Sequence, residues 1–297
     1  MKVVRRLIIV ALTAAVAGGG AAARASERVD VNATGVKLAV NSGGTALVNY
    51  RVGGRTFHLL VWGAINALPP SQTVPQVHFH FDWSGGWKSQ HRLVWKHFRN
   101  RCARYDGPAL VYLVAACKAR DGSYWALQAW QRELPNYGVE PAAAQRVWEL
   151  RLSHWTGALP QLSIHTDWAY HRFDHLFGTY TYRGVGVHGF ISTRTGVPLD
   201  AFGRNIYVDT LDSGYGSGWR RENSFLSHEG GSFCYGFYPH GDRPGGAGTK
   251  YRATVIGPGV APDVMWEGSS PGAYDPAADA AANDQQHALV DPHCAVN

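Results

Sequence analysis

The sequence predicts an all-β protein, a β-sandwich or jelly roll with disulfide-stapled loops and an irregular C-terminal tail. Short runs rich in Thr, Tyr, Val and Trp alternate with turn signals between Gly35 and Gly259. No stretch shows the sustained helical period that a crossover helix needs. The chain also has 4 Cys, an even number that suits two disulfides in an exported protein. These observations favour many short antiparallel strands over an α/β arrangement.

Residues 1–25 are predicted to be an export signal. Lys2, Arg5 and Arg6 precede the apolar run LIIVALTAAVA, and the small-residue site ARA lies directly before Ser26. The apolar run is too short to cross a bilayer as a helix, and no later segment is apolar enough to act as an anchor. We therefore expect cleavage after Ala25 and a secreted, extracellular protein with no membrane anchor once the signal has been removed.

Residues 26–260 are predicted to form a single β-sandwich-like domain. The segment ALVNYRVGGRTFHLLVW is expected to be a hairpin that turns at Gly53-Gly54, and LVYLVAACKARDGSYWALQAW a hairpin that turns at Asp121-Gly122. Alternation along VWELRLSHW predicts another strand. The same pattern continues in QLSIHTDWAY, HLFGTYTY, NIYVDTL, GSFCYGFY and KYRATVI.

The composition changes to Ala, Asp, Pro and Gly in residues 261–297, as in SSPGAYDPAADAAAND. Such a segment buries little apolar surface, so we expect an extended tail that is fastened to the domain. A disulfide between Cys234 and Cys294 would hold this tail, and one between Cys102 and Cys117 would close a hairpin-sized loop. Four cysteines allow three pairings, and this is the pairing that we favour.

The stretch VHFHFDWSGGW raises the question of a metal site. In a strand, His78, His80 and Asp82 would share one face, which is the spacing of metal ligands and also of an ordinary polar strand face. A neighbouring strand with His165 and Asp167 would be needed to complete a zinc or redox-metal site. We expect a strand that ends in a turn, with these side chains on its polar face and no tightly held metal, and we favour no cofactor.

Two acidic residues are candidates for catalysis. Asp209 and Glu222 lie in the stretch YVDTLDSGYGSGWRRENSFLSHE, where they offer the pair of carboxylates that a glycosidase uses. The alternative is that the acidic residues of this stretch form a turn and surface ion pairs with neighbouring arginines. The chain has no P-loop, no H-E-x-x-H and no EF-hand loop.

The most distinctive feature of the composition is its 11 Trp and 14 Tyr, many of them in Gly-rich segments. Trp and Tyr on a β surface offer flat faces on which sugar rings stack. The sequence therefore predicts a secreted protein that binds an extracellular or cell-wall glycan in an aromatic groove. The groove residues that we expect are Trp83, Trp87, Trp168, Tyr215 and Trp219.

Two other functions remain open from the sequence: a secreted hydrolase that acts on a polysaccharide, and a purely structural secreted protein. Nucleic acid is not an expected partner. Removing Lys2, Arg5, Arg6 and Arg24 with the signal takes the formal charge from +6 to +2, which leaves little net positive charge to attract phosphates.

Overall fold

The computed structural model describes residues 26–66, 77–132, 147–169, 173–182, 185–186, 206–213, 216–221, 225–229, 232–236, 248–255 and 261–288. The predicted export signal, Tyr215, Glu222 and Cys294 lie outside these residues. The described part of the chain consists mostly of β-strands with two helices and one 3₁₀ turn. The predicted all-β class is therefore confirmed.

Two antiparallel sheets are formed by the first half of the described chain. Their strands are β1 (Glu27–Val31), β2 (Thr34–Val40), β3 (Ala46–Val52), β4 (Arg55–Gly63), β5 (Phe79–Asp82), β6 (Ala103–Arg104), β7 (Leu113–Lys118), β8 (Tyr124–Arg132) and β9 (Val147–Trp155). One sheet has the order β1-β9-β8-β7-β6, and the other has the order β2-β3-β4-β5. Helix α1 (Trp87–Gln90) and the 3₁₀ helix Val94–His97 follow β5.

Two more antiparallel sheets follow in the second half. Their strands are β10 (Gln161–Ala169), β11 (Phe173–Tyr182), β12 (Val185–Gly186), β13 (Ile206–Ser213), β14 (Gly216–Arg221), β15 (Phe225–Glu229), β16 (Ser232–Gly236), β17 (Lys250–Val255) and β18 (Val264–Ser269). The sheet orders are β10-β11-β16-β15, with β12 beside β11, and β14-β13-β17-β18. Helix α2 (Pro276–Ala288) ends the described chain.

Both predicted hairpins are present. Gly53 and Gly54 connect β3 to β4 with φ of 54° and 78°, so both occupy the left-handed region that a two-residue hairpin turn requires. The β7–β8 hairpin turns at Asp121 and Gly122, and Gly122 has φ of 84°. Glycine lacks a Cβ, so it adopts these angles without strain.

The two sheets of the first half share one hydrophobic core. Val48 and Leu59 come from the β2–β5 sheet, and Trp125, Leu127 and Leu152 come from the other, all in one buried cluster. Each of these five side chains is almost fully removed from water. Burial of side chains of this size is the main favourable contribution to folding. The wider arrangement as a β-sandwich or jelly roll stays a prediction.

The predicted disulfide between Cys102 and Cys117 is present, with a Cα–Cα distance of 5.5 Å. It links β7 to the residue before β6 and closes a loop with a sequence separation of 15. A loop of this size stabilises the folded state by about 3 kcal/mol in the chain-entropy model. A structural disulfide also indicates an oxidising compartment.

None of the described helices has the length and apolar character needed to cross a membrane.

The prediction of an irregular, extended tail was wrong for most of its described residues. Val264–Ser269 forms β18 and pairs with β17 along its whole length. Farther on, the side chain of Asp275 accepts hydrogen bonds from the backbone N–H groups of Ala277 (2.8 Å) and Ala278 (3.3 Å), which caps α2. Pro276 occupies the first helical position, and the alanines that follow favour a helix. The sequence analysis considered only the composition of this segment and so missed the helix start at Asp275-Pro276.

The Cys234–Cys294 pairing stays a prediction, because Cys294 lies outside the described residues.

The residues before β18 are held by a buried polar cluster around Asp263. Its carboxylate accepts hydrogen bonds from the hydroxyl of Ser26 (2.6 Å) and the indole N–H of Trp130 (3.3 Å). Its backbone exchanges two 3.2 Å hydrogen bonds with the side-chain amide of Gln128. Arg151 lies 3.7 Å from the same carboxylate. This cluster ties the segment to Ser26, directly before β1, and to the β8–β9 pair.

Candidate functional site

The outward face of the β4–β5 pair carries a row of aromatic rings at the edge of its sheet. Trp62 and His80 are directly opposite each other across the two strands, so they point to the same face. Their rings stack with a centroid distance of 5.6 Å and an angle of 18°. The ring of His78 lies 4.6 Å from that of His80. Trp62 is 38% exposed, and both histidines are also exposed.

Asp82 does not share the exposed position of the two histidines, although the strand alternation predicts one common face. It is buried, with only 8% of its surface exposed. Its Oδ1 accepts hydrogen bonds from the backbone N–H (2.9 Å) and the hydroxyl of Ser84, and its Oδ2 accepts one from the N–H of Gly86 (3.1 Å). The predicted strand that ends in a turn is confirmed, and Asp82 is the residue that closes the turn.

The other two candidate metal ligands, His165 and Asp167, lie on β10, which pairs with β11 in a different sheet from β5. Within the described part of the chain, no three His, Cys, Asp or Glu residues are gathered as a metal site would require. The aspartate of the HFHFD run serves the turn, which leaves two adjacent imidazoles as the accessible polar groups of this strand.

The segment after the turn packs back onto the outward face of the sheet. The ring of Trp95 stacks on that of His58 on β4, with a centroid distance of 3.7 Å and an angle of 5°. A Cβ atom at Gly85 would lie 2.5 Å from the Trp95 ring, so only glycine permits this approach. Burial lowers the pKa of His58, whose Nδ1 lies 2.6 Å from the side-chain oxygen of Asn49. The segment is therefore held by ring stacking against a fixed, hydrogen-bonded histidine.

A surface concavity of about 780 Å³ is formed by this packed segment. Trp87, His91, Arg92, Lys96 and His97 line it together with two aliphatic side chains, and we call it the basic concavity. Trp87 is 57% exposed. An indole next to several N–H donors offers a ligand both a flat apolar face and polar contacts.

Trp83 is the third exposed tryptophan of this region, with 50% of its surface exposed. Its ring stacks on that of Phe81, with a centroid distance of 5.9 Å and an angle of 20°. Phe79 and Phe81 pack against the hydrophobic core. Trp83 is the next residue in this alternation, but it lies beyond the end of β5 and faces solvent. We use the name aromatic edge for Trp62, Trp83 and Trp87 with the two exposed histidines, His78 and His80.

The remaining described members of the predicted groove, Trp168 and Trp219, lie on two other sheets. The indole N–H of Trp168 donates a 3.0 Å hydrogen bond to the carbonyl of Ala273, and its ring packs edge-on against Tyr274. Trp219 lies under the guanidinium of Arg252, which is 4.5 Å from the ring centroid. Both rings thus have protein partners that brace them. A single groove that unites these residues with Trp83, Trp87 and Tyr215 stays a prediction.

Asp209 occupies a buried position that differs from the cleft expected of a catalytic acid. It has no exposed surface, and its Oδ2 accepts hydrogen bonds from Nε (3.0 Å) and Nη2 (2.8 Å) of Arg252. Burial lowers the pKa of that guanidinium, but the charge and hydrogen bonds of Asp209 outweigh burial and raise its pKa overall. The pair joins β13 to β17. Glu222 lies outside the described residues, so the acid–base pair stays a prediction.

The structure also shows a Ser–His contact that the sequence analysis did not identify. The hydroxyl of Ser123 lies 2.9 Å from Nε2 of His154, and the His154 ring stacks 3.8 Å from that of Trp125. The nearby carboxylate of Asp121 contacts Ser123 instead of the imidazole. Ser123 has no exposed surface, which denies a substrate access to its hydroxyl. The two residues are 31 positions apart, so only the β8–β9 pairing could have revealed the contact.

Comparison of the chain with protein-family models, with curated proteins and with solved structures gave no match.

Proposed function

We propose that this protein is secreted and binds an extracellular or cell-wall glycan through the aromatic edge. The observation that carries the proposal is the exposure of Trp62, Trp83 and Trp87, at 38%, 50% and 57%, on β4 and in the turn and helix that directly follow β5. Several exposed indoles on neighbouring elements indicate a binding surface, whereas single exposed rings need no explanation.

Two indoles of the aromatic edge stack on neighbouring rings, which suits them to sugar binding. Trp62 stacks on His80, and Trp83 stacks on Phe81, so each indole is held while part of its surface faces water. A ring that is already fixed loses little conformational entropy when a ligand arrives. The apolar C–H face of a pyranose can then cover the indole, and its hydroxyl groups can reach the imidazoles of His78 and His80.

The disulfide between Cys102 and Cys117 supports an extracellular location because it indicates an oxidising compartment. Amino-terminal sequencing of protein recovered from the culture medium tests this part of the proposal. We expect the chain to begin at Ser26. Retention of the protein inside the cell with an intact amino terminus would contradict secretion.

Binding is tested by depletion from solution with insoluble polysaccharides such as cellulose, chitin and peptidoglycan. We expect the Trp62→Ala and Trp87→Ala variants to bind roughly three- to tenfold more weakly than the parent, because one aromatic stacking contact contributes about 0.5–1.5 kcal/mol. The matched control is Trp148→Ala, which removes an indole that is 49% exposed on β9, outside the aromatic edge.

The control should bind like the parent, and the Trp87→Ala variant should keep the parent's melting temperature because that ring is mostly exposed. Equal losses for Trp148→Ala and the two edge variants would contradict a specific site. No retention of the parent on any of the polymers would contradict glycan binding.

A further inference from the structure

We infer that the glycan is acidic, and that the basic concavity receives its carboxylate or sulfate groups next to a sugar ring stacked on Trp87. This inference rests on the proposed glycan binding and adds to it the chemical class of the ligand. It depends on three observations: the charge of the segment that forms the concavity, the lack of carboxylate partners for that charge in the described part of the chain, and the position of the indole.

The segment between Asp82 and Asp106 contains no acidic residue but is rich in basic ones. Its cationic side chains are Lys88, Arg92, Lys96, Arg99, Arg101 and Arg104. All six are exposed. The formal charge of the whole chain is also only +6, so the positive charge of this short segment is far above the average for the chain.

These cations are not neutralised by carboxylates in the described part of the chain. The ion pairs recorded there use other basic residues: Arg28, Lys118, Arg151 and Arg252. Grouping like charges without partners costs free energy, and an anionic ligand would offset that cost.

The basic concavity places two of the six cations beside an exposed ring. Arg92 and Lys96 line it together with Trp87, His91 and His97. A guanidinium offers a planar pair of N–H donors that matches the two oxygens of a carboxylate or sulfate, and an ammonium adds a point charge. Sugar stacking and anion pairing can thus occur within one volume of about 780 Å³.

A nucleic acid also combines flat rings with anionic groups, but the other observations favour an acidic polysaccharide. The Cys102–Cys117 disulfide indicates an oxidising compartment outside the cytosol. Binding to a single-stranded oligonucleotide is therefore measured as the competing alternative.

The test measures binding of the full chain to paired polymers that differ only in charge: polygalacturonate against its methyl ester, and dextran sulfate against dextran. We expect the parent to bind a charged polymer at least roughly fivefold more tightly than its neutral counterpart, with affinity that falls as salt is added. The first pair reports a carboxylate ligand, and the second reports a sulfate ligand.

Two variants locate the effect. Arg92→Gln and Lys96→Gln should each weaken binding to the charged polymer by roughly two- to fivefold, with little effect on thermal stability since both side chains are exposed. The matched control is Arg120→Gln, which removes an exposed cation at the β7–β8 turn, outside the basic concavity. It should bind like the parent.

Equal binding of neutral and charged polymers, with no effect of Arg92→Gln or Lys96→Gln, would overturn the inference and leave the proposed glycan binding intact. No binding to any of the four polymers, together with no retention on the insoluble polysaccharides, would overturn both. Tighter binding to a single-stranded oligonucleotide than to either charged polymer would overturn the inference in favour of nucleic acid.

Discussion

His154 occupies a buried site where three elements meet. Its Nδ1 lies 3.0 Å from the carbonyl oxygen of Gly63 at the end of β4, and its Nε2 lies 2.9 Å from the hydroxyl of Ser123. In the neutral ring, Nδ1–H donates to the carbonyl of Gly63. Burial lowers the pKa of the imidazole, because the charged form loses its hydration.

This lowered pKa gives a pH dependence of known sign. The ordinary pKa of histidine is about 6.5. When the pH falls below this value, His154 takes up a proton in the unfolded chain but stays neutral in the folded chain. We expect the contribution of His154 to the free energy of unfolding to be complete above pH 6.5 and to be lost as the pH falls toward the folded pKa, at up to about 1.4 kcal/mol per pH unit.

Urea unfolding at pH 7.5, 6.5 and 5.5 measures this effect by comparing the parent with His154→Gln. The variant should lose less stability than the parent between pH 7.5 and 5.5. His78→Gln is the control, because it replaces an exposed imidazole. Its stability should follow the pH in the same way as the parent's. The same pH dependence in the parent and in His154→Gln would contradict a neutral, buried imidazole.

At the scale of single residues, sequence patterns predicted which face of a strand a side chain occupies better than they predicted what that side chain contacts. Strand alternation was enough to place His78 and His80 on an outward face. The Gly-rich segment around Trp83 and Trp87 drew attention to two rings that are in fact exposed. It also grouped Asp82 with the histidines. A carboxylate just before Ser-Gly-Gly finds unpaired backbone N–H groups, so it folds into the turn.

Trp62 was overlooked because it ends the apolar run FHLLVW, which resembles a buried strand. Only the pairing of β4 with β5 shows that its ring faces outward opposite His80.

At the scale of elements, the C-terminal part of the chain depends on the polar cluster around Asp263. Arg151 contacts the carboxylates of both Glu149 and Asp263, and the carboxylate of Asp263 is almost fully buried. Loss of one member of such a cluster leaves the remaining donors without an acceptor in a region that water does not reach.

We expect Asp263→Ala to lower the free energy of unfolding by about 3 kcal/mol, the lower end of the range for a broken buried ion pair. The lower end applies because Arg151 keeps its 2.8 Å contact with Glu149. The comparison variant is Asp275→Ala, which removes only the cap of α2 and should cost about 1 kcal/mol. Chemical unfolding measures both values. An Asp263→Ala variant as stable as Asp275→Ala would show that the cluster does not anchor the segment.

The elements of this region also show what a composition argument misses. The Ala- and Asp-rich sequence led us to expect an extended tail, but an Asp-Pro start followed by alanines is a helix signal. Conversely, the hairpin turns at Gly53-Gly54 and Asp121-Gly122 were predictable because their geometry depends on local residues alone.

At the scale of the whole molecule, the sequence predicted the all-β class but could not predict the sheets. Strands distant in the sequence are neighbours in them: β1 pairs with β9, and β13 pairs with β17. Register between such strands depends on packing across the core, which no local pattern records. For the same reason, the convergence of Trp87, Arg92 and Lys96 on one concavity appears only in the structure.

The measurement that tests the central claim most directly is hydroxyl-radical footprinting of the tryptophans, with and without a polysaccharide that retains the protein. All three indoles that are compared, Trp62, Trp87 and Trp148, are exposed in the free protein and should be oxidised. With the glycan bound, we expect oxidation of Trp62 and Trp87 to slow several-fold while oxidation of Trp148 stays the same. Unchanged oxidation of Trp62 and Trp87, or protection of Trp148 alone, would contradict glycan binding at the aromatic edge.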